Sequence, residues 1–105
     1  MSVRVNAENF ENEVLKSENP VLVDFYSDSC VPCKRLSPVL AEVEEQYADS
    51  LKIAKVNINF DAELAEKYDV QAAPTLILFK DGQETARLRG AVKKSDIIEL
   101  IEKLK

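Results

Sequence analysis

Val21-Leu22-Val23-Asp24-Phe25-Tyr26, Ser27-Asp28-Ser29 and Cys30-Val31-Pro32-Cys33 follow one another without a break, and this stretch decides the fold. The first six residues are apolar almost throughout and lack the alternation of a half-solvated strand. They predict a strand buried on both faces. Three small polar residues then form a loop. Beyond it Cys33, Leu36, Leu40, Val43 and Tyr47 recur at helical spacing, which predicts a long helix from Cys30 or Val31 to about Tyr47. Pro32 suits the first turn, where its missing N–H costs little. Pro38 lies deeper and is expected to kink the helix.

The strand–loop–helix order places Cys30 at a helix N-terminus. Free backbone N–H groups and the helix dipole favour an anion there, so Cys30 is expected to have a lowered pKa and to be partly thiolate near neutral pH. The i, i+3 spacing puts both sulfurs on one helix face, close enough to bond. Cys30 is then the thiol that attacks a partner's disulfide, and Cys33 the one that resolves the mixed disulfide. A purely structural cysteine pair is one competing assignment. Half of a zinc or iron–sulfur site is another; such sites usually take four ligands, and the chain has two cysteines and no histidine, so a metal needs two chains.

Outward from this core, Val3 to Val5 predict a short strand, and Asn6 is placed to cap a helix over Ala7 to Ser17 that turns Phe10 and Val14 inward. Ile53 to Ile58 predict a second buried strand. Asp61 is placed to cap a short helix carrying Leu64 and Tyr68. Thr75 to Phe79 predict a third strand, and Asp81-Gly82 a hairpin turn with Thr85 to Arg89 returning antiparallel. Ser95 is placed to cap a last helix with Ile97, Ile98, Ile101 and Leu104 inward. The order β-α-β-α-β-α-β-β-α gives an α/β fold with a mixed sheet and helices on both faces.

At 105 residues, 46% of them hydrophobic, the chain fits a single domain over 1–105 with a core of its own. A net charge of −5 argues against nucleic acid or an anionic membrane as partner, since both attract a basic patch. The start, Met1-Ser2-Val3-Arg4-Val5-Asn6, lacks the apolar core of a signal peptide, and no later run is long enough to span a bilayer. The expectation is a cytoplasmic protein, where a dithiol mostly reduces. Without histidine, Ser-His and Cys-His catalysis is excluded within this chain.

Taken together, Val21 to Tyr26, Cys30-Val31-Pro32-Cys33-Lys34, Pro38, Ala73-Pro74-Thr75 and Gly90-Ala91 resemble, in order and spacing over essentially the whole chain, the landmarks of the thioredoxin family. The resemblance implies a central five-stranded mixed sheet flanked by four helices. It implies protein-disulfide reduction by dithiol–disulfide exchange, with no cofactor beyond the Cys30–Cys33 pair. The implied partners are disulfide-containing clients and a separate thioredoxin reductase, NADPH- or ferredoxin-linked, acting on a monomer. It implies a cis peptide bond before Pro74, beside the cysteines, with neighbouring backbone free to pair with an extended substrate; without it, a trans proline opening a strand is the plainer assignment. It implies that Asp24, expected to be buried with a raised pKa, helps move the Cys33 proton; an exposed strand end is the alternative. Lys55 matches a lysine that approaches this carboxylate; a side chain reaching solvent is the alternative. The implied substrate groove comprises Ser29, Val31, Pro32, Ala73, Thr75, Gly90 and Ala91.

Several positions depart from the family pattern. Ser29 and Tyr26 stand where tryptophan is usual, Val31 where glycine is usual, and Ala73 where a branched aliphatic is usual. These changes surround the sulfurs and leave Cys30, Cys33, Asp24 and Pro74 intact, so they bear on partner choice and redox poise. A thioredoxin-like interaction module tied to one partner, without turnover, is the alternative function.

Overall fold

The computed structural model describes residues 3–90 and 92–104. Five strands, β1 (Val3–Arg4), β2 (Val21–Tyr26), β3 (Lys52–Asn57), β4 (Thr75–Lys80) and β5 (Gln83–Arg89), form one sheet in the order β1-β3-β2-β4-β5. β1 and β2 each run parallel to β3, while β4 runs antiparallel to both β2 and β5. A π-helical segment at Glu11–Leu15 and the helices α1 (Val31–Gln46), α2 (Ala62–Lys67) and α3 (Lys94–Glu102) complete the expected element order.

Strand alternation divides the core into two layers. Val21, Val23 and Phe25 of β2 point to one face with Ala54, Val56, Ile77 and Phe79, where Phe10, Val14, Leu64 and Ala65 cover them. Leu22 points to the other face, where Ile53, Leu76 and Leu78 meet Leu36, Leu40 and Val43 of α1 and Ile97 and Ile101 of α3. Asp24 is two residues beyond Leu22, so the pleat turns it toward α1. The predicted inward face of α1 holds at every position, since Cys33, Leu36, Leu40, Val43 and Tyr47 are all buried. Of the predicted inward residues of α3, Ile97 and Ile101 are buried, whereas Ile98 and Leu104 are half-buried.

Three local expectations need correction. The first helix is shorter than Ala7 to Ser17. The Asn6 side-chain oxygen accepts from the Glu8 and Asn9 N–H groups at 2.9 and 3.1 Å, so the cap forms a turn of its own. The helical segment follows it and closes with an i→i+5 bond from Lys16 N–H to the Glu11 carbonyl at 2.9 Å. Asp61 occupies the position before α2 but makes no side-chain cap; its carboxylate accepts from Ala7 N–H at 3.2 Å. Ser95 is inside α3, not at its start. The N-cap is Lys93, and the Asp96 carboxylate three residues on accepts from the Lys93 N–H at 3.0 Å.

The hairpin forms as expected. Asp81 (φ 53°) and Gly82 (φ 78°) both take the left-handed conformation that a two-residue turn between twisted strands requires. Pro38 lies within α1, which runs on through it to Gln46, and the Lys34 carbonyl loses its usual i+4 donor there.

Candidate functional site

The parallel pairing of β2 with β3 sends the loops after both strands out of the same end of the sheet. The antiparallel β4 begins at that end, with Thr75 opposite Phe25. Cys30, the residues around Asn57 and Pro74 therefore gather at one edge although they are far apart in sequence.

Cys30 is the N-cap of α1 (φ −86°, ψ 110°), and Pro32 lies in the first turn. Cys30 and Cys33 are joined in a disulfide with their Cα atoms 5.2 Å apart. The Cys30 sulfur accepts a hydrogen bond from the Cys33 N–H at 3.1 Å, so the helix start is directed at this sulfur. Cys30 is half-buried, whereas Cys33 is buried against the sheet.

A cleft of about 390 Å³ opens behind the pair, lined by Cys33, Asp24, Tyr26, Lys34, Ser37 and Lys55 among others. Asp24 is only 2% exposed, and among the described residues its Oδ1 has no hydrogen-bond partner. Burial pushes its pKa up to about 6 despite the opposing pull of the Lys55 charge. Lys55 is the register partner of Asp24 on β3, so both side chains face α1. Its Nζ donates to the Ser37 hydroxyl at 3.5 Å.

The Ala73–Pro74 peptide bond is cis, and Pro74 is buried while Ala73 is half-buried. Gly90 (φ 79°) donates its N–H to the Pro74 carbonyl at 2.9 Å, which places the end of β5 beside the proline. Thr75 is 1% exposed and its hydroxyl donates to the Ala72 carbonyl at 2.7 Å. It ties down the turn before Pro74 instead of presenting its side chain to a groove. Ser29, Val31 and Pro32 are exposed around the sulfurs, and Ala91 lies outside the described residues.

Sequence reasoning missed the supports of this edge. The Ser27 hydroxyl lies 3.3 Å from that of Ser29 and donates to Asn59 Oδ1 at 3.0 Å. Asn57 Nδ2 donates to both Asp28 carboxylate oxygens at 3.2 and 3.3 Å. The cluster of short polar residues on both sides was visible, but only strand register shows that they meet.

A cysteine pair at a helix start, with a buried carboxylate in the cleft behind it, defines a thiol–disulfide oxidoreductase. The thioredoxin family profile matches residues 1–103. A thioredoxin of Pseudomonas aeruginosa is 43% identical over 100 residues, covering 95% of this chain and 93% of the relative. Thioredoxin 1 of Synechococcus elongatus is 42% identical over 94 residues, 90% and 88% of the two chains. An M-type chloroplastic thioredoxin of Chlamydomonas reinhardtii is 39% identical over 99 residues, 94% of this chain and 71% of the relative. The chain belongs to the thioredoxin family and is a protein-disulfide oxidoreductase. Membership implies partners of two general kinds, a reductase and disulfide-bearing clients. Among the described residues, no helix is long and apolar enough to cross a membrane.

Proposed function

We propose that the protein is a general cytoplasmic disulfide reductase, working as a monomer that a separate NADPH- or ferredoxin-linked thioredoxin reductase returns to the dithiol. The observation that carries the assignment of roles is the hydrogen bond from Cys33 N–H to the Cys30 sulfur at the start of α1. Once the disulfide is reduced, this donor and the helix dipole stabilise a Cys30 thiolate. Cys30 is more accessible than Cys33, so it attacks one sulfur of the client's disulfide. The client bond breaks, one client thiolate leaves, and a Cys30–client disulfide forms. Cys33 then gives up its proton and attacks the Cys30 sulfur. The second client thiolate leaves, and the Cys30–Cys33 disulfide closes. Two electrons have passed to the client, and the two sulfurs carry them without another cofactor.

Asp24 is the acceptor for the Cys33 proton. It lines the same cleft as Cys33, and with a pKa of about 6 both of its protonation states are accessible near neutrality. Lys55 tunes this carboxylate. Pro74 and the half-buried Ala73 form the wall against which an extended client segment lies, with Gly90 adjoining.

The test is trapping. With disulfide-bearing client protein, Cys33→Ser accumulates the mixed disulfide and Cys30→Ser forms none. Trapping by Cys30→Ser but not by Cys33→Ser would falsify the assignment. Turnover of insulin disulfides with dithiothreitol as reductant separates a reductase from a non-turning binding module.

A further inference from the structure

Single exposed apolar side chains are ordinary on protein surfaces. Phe60 differs through its surroundings. It is 81% exposed, and the only other exposed large hydrophobic among the described residues is Val31 at 55%, next to Cys30. Phe60 follows β3, and because β2 and β3 are parallel it leaves the sheet at the same end as the Cys30 loop. The pairing extends one residue past β3 through a bond from Ile58 N–H to the carbonyl of Tyr26, the last residue of β2, at 2.9 Å.

The two loops are also tied together. Ser27 bridges Ser29 and Asn59, and Asn57 holds Asp28, so the residues on either side of the gap are fixed by side-chain hydrogen bonds. Phe60 N–H itself donates to the Asn57 carbonyl at 3.2 Å. The backbone beneath Phe60 is held this way, so the main chain that carries its apolar area has little ordering left to do on binding. The loop before Cys30 offers only Ser27, Asp28 and Ser29 in that role.

Space for a partner is continuous with the reactive site. A second cleft of about 280 Å³ is lined by Phe60 with Tyr26, Asn57 and Asp61. It shares Arg4, Tyr26, Asp28 and Lys55 with the cleft that contains Cys33 and Asp24. The first cleft reaches Cys33, which is bonded to Cys30, and the Cys30 loop leaves the sheet at the same end as Phe60, so a polypeptide whose disulfide lies on Cys30 has a path along this edge onto Phe60. The cleft walls carry Arg4 and Lys55 against Asp28 and Asp61, a balanced set that selects no strong charge.

We propose that Phe60 is a specificity-determining docking contact for the polypeptide client, receiving an apolar side chain that flanks the target disulfide. The proposal rests on the assignment of Cys30 as the attacking thiol.

The test compares Phe60→Ser and Phe60→Leu with the unmodified protein in reduction of insulin and of 5,5′-dithiobis(2-nitrobenzoate), a disulfide too small to reach Phe60. Phe60→Ser raises the insulin KM roughly three- to tenfold, the scale of one apolar anchor at an interface. Its effect on the small disulfide is at least threefold weaker, and Phe60→Leu restores most of the insulin KM. An unchanged insulin KM overturns the proposal, as does an equal loss with both disulfides. A defect confined to turnover by a thioredoxin reductase reassigns the surface to the reductase and overturns it. So does a dimer, seen by sedimentation, that Phe60→Ser dissociates. An unmodified protein that reduces neither disulfide instead removes the catalytic assignment on which the proposal stands.

Discussion

Asp24 and Lys55 are register partners on adjacent parallel strands, and both face the helix that carries the cysteines. The carboxylate is buried, while the lysine ammonium bonds to Ser37 and acts on Asp24 through space. Desolvation outweighs this attraction, and the Asp24 pKa rises from 3.8 to about 6.

Stability should therefore depend on pH in a defined sense. Between about 4 and 6 the folded protein keeps a proton on Asp24 that the unfolded chain has released, so stability falls as pH rises through this window. Above it the full cost applies, about 3 kcal/mol for a rise from 3.8 to about 6. Asp24→Asn, which keeps the shape without the charge, should stabilise the oxidised protein by roughly 1–3 kcal/mol near pH 8 and by little near pH 4. Urea unfolding at the two pH values checks this. A gain of the same size at both would show that the charge is not the cause.

The same carboxylate should control resolution of the mixed disulfide. Release of client thiol from a preformed Cys30–client disulfide should accelerate as pH rises through about 6, as Asp24 becomes able to accept the Cys33 proton. Asp24→Asn should lose this limb and slow release roughly tenfold or more near neutrality. Lys55→Met removes a charge that lowers the Asp24 pKa, so the limb should move to higher pH. Stopped-flow release curves read both effects. A limb left in place by Lys55→Met would exclude Lys55 from the site.

The β4–β5 turn should be sensitive to a single methyl group. Gly82 has φ 78°, and a Cβ built there would lie 3.0 Å from the Leu15 carbonyl oxygen. Gly82→Ala should cost roughly 1–3 kcal/mol, from left-handed strain and from displacing the Glu11–Leu15 segment. Chemical denaturation of the variant measures it; a loss below about 0.5 kcal/mol would mean that the turn adapts freely.

Partner choice should depend on the residues around Cys30. Ser29 offers a small hydroxyl, already within 3.3 Å of Ser27, and Val31 adds a stiff apolar bump. Reduction by a bacterial NADPH-dependent thioredoxin reductase should improve roughly three- to tenfold in kcat/KM for Ser29→Trp/Val31→Gly, because a broad aromatic contact is restored. If the unmodified protein already turns over as well as the substituted one, these two residues do not set reductase selectivity.

The order of elements, the inward face of α1 and the Asp81-Gly82 turn were legible from residue pattern because each depends on local geometry: helical period, strand run, or the sign of φ. The cysteine pair was legible for the same reason, since a strand, a short loop and a helix start suffice to place Cys30. Caps were less legible. Ser95 is a good capping residue by type, yet Lys93 with Asp96 begins α3, and Asp61 bonds to Ala7 instead of its own helix. Several short polar residues in a row can each close a helix start, and long-range packing chooses among them.

Residue order alone was enough to define the strand–loop–helix that holds Cys30 and Cys33, and to show one carboxylate, Asp24, in a strand otherwise apolar. Tertiary structure decided what surrounds them. Parallel register set Lys55 opposite Asp24, the antiparallel β4 brought Pro74 to the end of β2, and the paired loops placed Phe60 at the cysteine edge. Local order follows from the conformational preferences of neighbouring residues, which a sequence displays directly. The site is assembled from segments tens of residues apart, and only the pairing of strands fixes which side chains share one cleft.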